Sequence, residues 1–266
     1  MSFIQKVVFN VMKILRLSFC FFLLSLSFVE NALAQSKTCE IKFRVQTYPP
    51  FSIQNADGSW GGLDMEYAKL MADEAGCTIT PIQVPWGRGL EMLRVGGLDM
   101  MVNVTRNAER EDKYYFIGPQ RIELIRLMGI KGAIEPIDTW EKLAATEARY
   151  MRQIGAYYGE QFEQLVADKT RFKGELIELP DNQIRLQLLQ KNRVAGVFTE
   201  ELYADHSTAS IEQPELLIKH PLIIQNTPVY YAFSKQSVSE TQIKQFREIF
   251  ERLSKTKQYK ALGQGR

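Results

Sequence analysis

The sequence contains few of the residues on which most catalytic and metal sites depend. It has 2 histidines and 3 cysteines in 266 residues, and His206 and His220 stand far from any cysteine in the chain. We find no histidine and cysteine cluster at metal-ligand spacing, no Ser-His-Asp set and no glycine-rich phosphate loop. The sequence therefore predicts no metal, no organic cofactor and no hydrolase or nucleotide-dependent chemistry.

Residues 1–34 have the pattern of a secretory signal peptide. Three positive charges precede an apolar block at residues 17–29, and Ala32-Leu33-Ala34 fits a small-residue cleavage site. A membrane anchor that is not cleaved is the alternative, but the block is shorter than the roughly 20 residues that a spanning helix needs. We therefore expect an exported chain that begins at Gln35 after cleavage.

The exported chain also lacks a net charge. The full sequence holds 33 Lys and Arg against 31 Asp and Glu. Residues 1–34 contain three of the basic residues and one of the acidic ones, so 30 of each sign remain. A neutral chain offers no basic surface to nucleic acid or to an anionic membrane, and we expect neither as a partner.

Two cysteines remain in the exported chain, Cys39 and Cys77, and each precedes a β-rich run. The two runs are adjacent parallel strands if the segment between them is a crossover helix. Their starts then lie side by side, and an oxidising compartment permits a bridge. We predict a Cys39–Cys77 disulfide, with two free thiols as the alternative.

Strand and helix patterns alternate along the chain in two sets. The length after residue 34 allows one large domain or two lobes of about 100 residues each. Alternation of this kind requires right-handed crossovers and a parallel sheet, so each set predicts a lobe. The first set has strands at 41–47, 77–84 and 99–104 and helices at 63–75 and 86–95; the second has strands at 149–154, 175–179 and 194–199 and helices at 158–167 and 184–190. Further strands are predicted at 122–130 and 228–234, and further helices beginning at 138–141 and covering 240–253.

The end of the third predicted strand carries polar groups. The apolar run that begins at Met100 gives way to Asn103 and Thr105, and Arg110 follows in a charged segment. Ligands of open α/β sheets lie at the carboxyl ends of the strands. An amide, a hydroxyl and a guanidinium there suit a small anion, although an arginine in such a segment is most often a solvated charge.

The motifs of this stretch resemble those of the amino-acid-type solute-binding proteins of bacterial ABC transporters, known as family 3. The resemblance rests on Gly96-Gly97-Leu98-Asp99, Thr105, Glu109-Arg110 and Phe116-Ile117-Gly118-Pro119. It implies a periplasmic, two-lobed fold in which each lobe is a mostly parallel sheet flanked by helices. The two lobes are joined by a two-strand hinge, and the matching arginine, Arg110, binds the α-carboxylate of the ligand.

The same resemblance implies how the chain divides. The last predicted strand and helix have no strand after them, and in the family such elements return to the first lobe. We therefore expect a first lobe of residues 35–128 plus 222–266 and a second lobe of residues 129–221. A hinge between two lobes makes a cleft that closes on a ligand.

Aromatic residues of the first lobe are candidates for the cleft wall. Tyr48 and Phe51 follow the first strand, where simple loop packing is the alternative and the family's Tyr-x-Pro-Phe turn favours a pocket wall. Trp86 begins the second helix, at a position where the family has an apolar or aromatic ligand contact, and a buried core position is its alternative. We interpret Asp64 as a structural residue of the helix start.

The second lobe is expected to supply the remaining contacts. Ala156 and Tyr157 lie between a strand and a helix, so backbone N–H groups there would face a ligand. The family has an aspartate near the end of a later strand that receives the ligand's α-ammonium group, and Glu200 takes that position here. Its longer side chain still permits the charge pairing.

These residues predict a solute-binding protein, not an enzyme, that captures an amino acid or related carboxylate. The resemblance implies a monomer that delivers its ligand to a membrane permease of an ABC transporter. Two alternatives stay open. A dehydratase-like enzyme on the same scaffold would use Glu200 as a general acid. An orphan binding protein would pass its signal to a sensory partner instead of a permease.

Overall fold

A computed structural model describes residues 39–180 and 184–263 of the chain. The predicted signal peptide at residues 1–34 lies outside the described residues. Ten strands are described: β1 Cys39–Val45, β2 Ile53–Gln54, β3 Trp60–Gly61, β4 Cys77–Gln83, β5 Met100–Thr105, β6 Tyr114–Ile130, β7 Arg149–Gln153, β8 Glu175–Leu179, β9 Gly196–Glu200 and β10 Leu217–Ser234.

Nine α-helices lie in the same part of the chain, together with a 3₁₀ turn at Pro214–Leu216. The helices are α1 Leu63–Glu74, α2 Trp86–Val95, α3 Ala108–Lys113, α4 Trp140–Ala145, α5 Glu160–Ala167, α6 Arg185–Gln190, α7 Glu201–Ala209, α8 Glu240–Leu253 and α9 Lys257–Leu262. None of these described helices has the length and hydropathy that crossing a membrane requires.

Local sequence explains where the longest helix lies. Ser239 accepts a hydrogen bond from the Gln242 N–H, and the Gln242 side chain accepts one from the Ser239 N–H, which forms a capping box at the start of α8. One face of the helix is then buried, at Ile243, Phe246, Ile249 and Leu253. The predicted helix at residues 240–253 is confirmed with the same bounds.

The strands form one eight-stranded sheet in the order β4-β1-β5-β10-β6-β9-β7-β8, while β2 and β3 form a separate hairpin. Pairing is parallel between β1 and β5, between β7 and β8 and between β7 and β9. The central strands β6 and β10 pair with each other and with β9 and β5 in antiparallel fashion. Two parallel sets are therefore joined by two long strands, as the predicted fold class requires. We call the set β4-β1-β5 the first half and the set β9-β7-β8 the second half.

Each half has its own apolar core. In the first half, buried residues such as Leu93, Met101 and Phe116 pack together. In the second half, Tyr150, Phe162 and Phe198 belong to an aromatic cluster in which the Phe162 and Phe198 ring centroids lie 4.7 Å apart. A further cluster, in which Phe51 packs with Met151, connects the halves, so the region where they meet carries apolar as well as polar groups.

Cys39 and Cys77 are disulfide-bonded, as the sequence predicts. The bond ties the start of β1 to the start of β4, which are neighbours in the sheet. The alternative of two free thiols is wrong.

The two central strands are longer than predicted. The strand predicted at residues 122–130 begins at Tyr114, and the one predicted at 228–234 begins at Leu217. Irregular register between β6 and β10, including the step from Val229 to Tyr231, allows pairing to continue along both strands. These long strands place more side chains between the halves than the sequence indicates.

Candidate functional site

A pocket of about 70 Å³ lies where the two halves meet. A buried water occupies roughly 10–15 Å³ on this measure, so the pocket has room for several water-sized groups. Its wall comprises Arg44, Tyr48, Asp64, Trp86, Asn103, Thr105, Arg110, Arg121, Glu123, Ile125, Gln153, Ala156, Tyr157, Tyr158, Arg185, Phe198, Thr199 and Glu200.

Eight of the nine residues that the sequence marks as ligand contacts lie in this wall: Tyr48, Trp86, Asn103, Thr105, Arg110, Ala156, Tyr157 and Glu200. Phe51 lies behind it. The Phe51 ring is buried, with its centroid 5.4 Å from that of Tyr48, and the Arg121 guanidinium carbon lies 4.6 Å from the ring centroid. Phe51 therefore supports two wall residues without lining the pocket itself.

Arg110 is the cation that the sequence places at the end of β5. Asn107 caps α3 by accepting a hydrogen bond from the Arg110 N–H, and the Arg110 side chain is 7% exposed, so it is not the solvated charge of the alternative. Its guanidinium donates to the Thr105 carbonyl at 2.9 Å and to the Gly155 carbonyl at 2.8 Å. Burial lowers the pKa of Arg110. Among the described residues, no carboxylate forms an ion pair with this guanidinium, which leaves it suited to an anion.

The Gly155 carbonyl joins the two halves. It accepts from Arg110 and also from the Trp86 indole N–H at 3.2 Å, and both donors belong to the first half. Only glycine fits this position, because φ is 79° and a Cβ would lie 2.9 Å from the Gly87 Cα. These two hydrogen bonds to Gly155 hold the halves together on the side of the pocket where Trp86 lies.

Asn103 has left-handed backbone geometry, with φ of 58°. Its side-chain amide donates to Asp64 at 2.5 Å, and its side-chain oxygen accepts from Arg121 at 3.1 Å. Asp64 is buried, and burial raises its pKa while the nearby guanidinium groups act in the opposite direction. Asn103 thus connects two charged wall residues, and its amide already has protein partners.

Glu200 has a cation partner within the protein. Its Oε1 atom lies 3.1 Å from Nη1 of Arg121, and the two side chains are 6% and 4% exposed. Its Oε2 atom accepts from the Leu202 N–H at 2.7 Å, so Glu200 caps α7 directly after β9. Burial raises the pKa of Glu200, while the Arg121 charge works against that rise. A ligand ammonium at Glu200 would share this carboxylate with Arg121.

Arg185 is another buried arginine in the wall, which also contains Arg44, Arg110 and Arg121. It donates to the Thr199 hydroxyl, and its guanidinium carbon lies 5.3 Å from the Tyr48 ring centroid and 5.6 Å from that of Tyr203. Tyr48 in turn hydrogen-bonds Thr199 at 3.0 Å, and burial raises the Tyr48 pKa. The aromatic faces and hydroxyls stabilise the guanidinium in this part of the wall.

Ala156 and Tyr157 line the pocket, but the Ala156 backbone is arranged differently from the expectation. The Ala156 N–H donates to the Gln153 carbonyl at 3.2 Å and closes a turn. That donor is therefore used within the protein, and the contribution of Ala156 to the pocket is the surface of its side chain.

Sequence reasoning did not find Glu123, which also lies in the wall. It is half-buried on β6, and burial raises its pKa to about 7, although the Arg121 charge opposes the rise. The Gln225 side-chain amide donates a hydrogen bond of 3.5 Å to the Oε2 atom of Glu123. The alternation of polar and apolar residues in Arg121-Ile122-Glu123 could have indicated Glu123, because such alternation marks a polar face of a strand.

Comparison with known proteins identifies a family and several relatives. The profile of the family described as bacterial extracellular solute-binding proteins, family 3, matches residues 43–264. The L-cystine-binding protein TcyJ of Escherichia coli strain K12 is 27% identical over 159 residues, which cover 59% of this chain. The match spans 57% of the length of that protein.

Solved structures share the fold. An ancestral arginine-binding protein bound to arginine has a TM-score of 0.73 at 17% identity, with 85% of this chain and 96% of that chain covered. A putative L-cystine ABC transporter protein from Listeria monocytogenes has a TM-score of 0.72 at 16% identity, with coverage of 85% and 95%. An ancestral amino-acid-binding protein, described as a precursor of cyclohexadienyl dehydratase, has a TM-score of 0.69 at 18% identity, with coverage of 88% and 96%.

Proposed function

The chain belongs to the bacterial extracellular solute-binding proteins of family 3, and we propose that it captures a small amino acid or related carboxylate in the pocket between its two halves. The observation that carries the proposal is the position of Arg110, a buried guanidinium in the pocket wall whose partners among the described residues are two carbonyl groups. A ligand carboxylate would give this guanidinium a charged partner, and charge-assisted hydrogen bonds are stronger than those to neutral carbonyls.

The proposed site draws on both halves of the sheet. Arg110 and Trp86 come from the first half, and Tyr157 and Glu200 come from the second. A ligand that contacts both sets stabilises the arrangement in which the halves are together, and this dependence on ligand is what a transporter recognises. The ammonium of an amino acid would be received by a carboxylate of the same wall, either Glu200 or Glu123.

We further propose that the protein acts in the periplasm, as a monomer, and delivers its ligand to the membrane permease of an ABC transporter. Export would use the signal peptide at residues 1–34. Residues 35–128 and 222–266 would form the first lobe and residues 129–221 the second. The parallel sets on either side of β6 and β10 support this division.

The test is a thermal-shift screen of the purified protein with the common amino acids, L-cystine and prephenate. A ligand at a hundred times its Kd stabilises the native state by about 2.7 kcal/mol, which raises the melting temperature measurably. We expect at least one amino acid to stabilise the protein and to be recovered unchanged by mass spectrometry. Absence of stabilisation across the screen would contradict the proposal.

A dehydratase-like enzyme is the second candidate, and the observation in its favour is the raised pKa of Glu123, which gives the pocket a carboxylic acid close to neutrality. Glu200, the acid suggested by the sequence, is less suited because Arg121 holds its carboxylate. Conversion of prephenate during the same incubation would support the enzyme, and recovery of intact prephenate would exclude this reaction.

A further inference from the structure

The pocket wall contains two glutamates with different surroundings. Both oxygens of Glu200 have protein donors, from Arg121 at 3.1 Å and from the Leu202 N–H at 2.7 Å. Glu123 has no ion pair within the described residues, and the hydrogen bond recorded for it is the 3.5 Å contact from Gln225. Carboxylate oxygens out of bulk water need donors, so of these two glutamates Glu123 is the one that can still accept hydrogen bonds from a ligand.

Strand geometry directs Glu123 into the pocket. Successive residues of a strand alternate between faces, so Arg121, Glu123 and Ile125 of β6 share one face. All three line the pocket. β6 is one of the two strands shared by both halves, so Glu123 stands at the base of the cleft, between the two sets of ligand contacts.

We propose that Glu123 is the residue that receives the ammonium group of the ligand and thereby selects amino acids over plain carboxylic acids. The inference rests on the proposed function, since it assigns one end of the ligand to Glu123 and the other to Arg110. The two side chains are near enough for the Arg110 charge to act on the Glu123 carboxyl group. A zwitterion supplies an anion for the guanidinium and a cation for the carboxylate in one molecule.

The charges around Glu123 also define a pH dependence. Arg121 and Arg110 favour its ionised form, while Glu200 and Asp64 oppose it, and burial raises its pKa to about 7. A ligand ammonium requires the ionised form. Affinity for an amino acid therefore falls as the pH decreases below this pKa, by roughly ten-fold one unit below.

Matched ligands test the role of Glu123. L-glutamine, L-arginine and L-cystine are titrated into the protein beside their deamino analogues, which are glutaramic acid, δ-guanidinovaleric acid and dithiodipropionic acid. For the amino acid that binds the wild type, we expect an affinity about ten- to a hundred-fold higher than for its analogue. Glu123→Gln should remove this preference, because the amide is neutral, and Glu123→Asp should restore part of it.

Two further variants separate this role from a structural one. Glu175→Gln removes an exposed carboxylate on β8 and should keep the preference unchanged. Glu200→Gln should weaken both members of a ligand pair alike, because it acts through Arg121. A preference that survives Glu123→Gln, or that disappears in Glu200→Gln alone, would overturn the inference.

Titrations of the wild-type protein distinguish failure of this inference from failure of the proposed function. Equal affinity for an amino acid and its deamino analogue would overturn the role of Glu123 and leave carboxylate capture standing. Binding of neither the amino acids nor their analogues would contradict the proposed function, and the inference with it.

Discussion

Two strand ends of this protein are each followed or occupied by a charged residue of the same pocket, and the two residues differ in their partners within the protein. At the end of β5, Arg110 turns back from α3 and donates to the carbonyls of Thr105 and Gly155. At the end of β9, Glu200 caps α7 and forms an ion pair with Arg121. Both charges are buried, but only the first lacks a charged partner among the described residues. The availability of a buried charge to a ligand is thus decided by its neighbours and not by its position in the fold.

The largest expected effect comes from removing Arg121, the cation that pairs with Glu200. Arg121→Met leaves the Glu200 carboxylate buried without its cation, and such unpaired charges cost about 3–5 kcal/mol. The free energy of unfolding, measured by urea titration near neutral pH, should fall by this amount. The loss should shrink as the pH falls, because burial raises the pKa of Glu200 and protonation removes the buried charge.

A loss below about 1 kcal/mol is typical of an exposed pair. It would contradict the conclusion that the buried Glu200 carboxylate depends on Arg121. The double variant Arg121→Met with Glu200→Gln is the control. It should recover much of the lost stability, because no unpaired charge remains.

The next largest effect concerns Arg110, the buried charge that has no charged partner among the described residues. Arg110→Met should weaken binding of an amino acid about a hundred-fold, which corresponds to loss of a charge-assisted pair of hydrogen bonds. The stability of the ligand-free protein should fall by about 1 kcal/mol for each carbonyl contact that is lost. Calorimetric titration and urea unfolding measure the two quantities.

Arg106→Met serves as the matched control for Arg110. Arg106 lies close to Arg110 in sequence but is exposed and paired with Glu111 at 2.7 Å. We expect its replacement to leave ligand affinity unchanged. Equal losses in the two variants would remove Arg110 from the binding site.

A smaller effect distinguishes Glu123 from Glu200 in the absence of ligand. Burial raises the Glu123 pKa to about 7, against about 4.3 in an unfolded chain. Protonation of this group therefore stabilises the native state fully below the unfolded pKa, and the contribution is lost as the pH rises through the native pKa. This difference in pKa corresponds to at most about 3.7 kcal/mol, and solvent screening of the half-buried carboxylate lowers that figure. Glu123→Gln should therefore be more stable than the wild type by about 2 kcal/mol near pH 8 and equally stable near pH 4. A difference that does not change with pH would contradict the raised pKa.

The smallest effect is expected from an exposed ion pair of the second half. Arg149 and Glu175 lie 2.9 Å apart with 50% and 62% of their side chains exposed. Arg149→Ala should change the free energy of unfolding by less than about 1 kcal/mol, because water screens both charges. A loss as large as that of Arg121→Met would show that burial does not explain the difference between the pairs.

Much of the fold could be predicted from the sequence because its signals are local. The bounds of the helices Trp86–Val95 and Glu240–Leu253 and of the strand Glu175–Leu179 follow from apolar periodicity and from caps. Helix α7 was missed because it follows β9 without a loop, with Glu200 acting as its cap. The full lengths of β6 and β10 depend on pairing with a distant strand, which no local pattern reveals.

The site was predicted where a motif marked a strand end and missed where charge lay inside a strand. Thr105 and Arg110 follow a change from apolar to polar residues, which indicates a ligand-facing edge. Arg121 and Glu123 alternate with apolar residues, and this pattern usually marks a face in contact with solvent. Here the polar face lines a pocket between two halves, and only the tertiary arrangement distinguishes the two situations.

The most direct test of the account compares an amino acid with its own carboxamide. The amino acid that stabilises the protein most in the thermal-shift screen and its amide are each titrated into the wild type by calorimetry. The amide keeps the ammonium group and removes the negative charge that Arg110 is proposed to bind. The account predicts affinity about a hundred-fold lower for the amide, and equal affinity for the two compounds would contradict it.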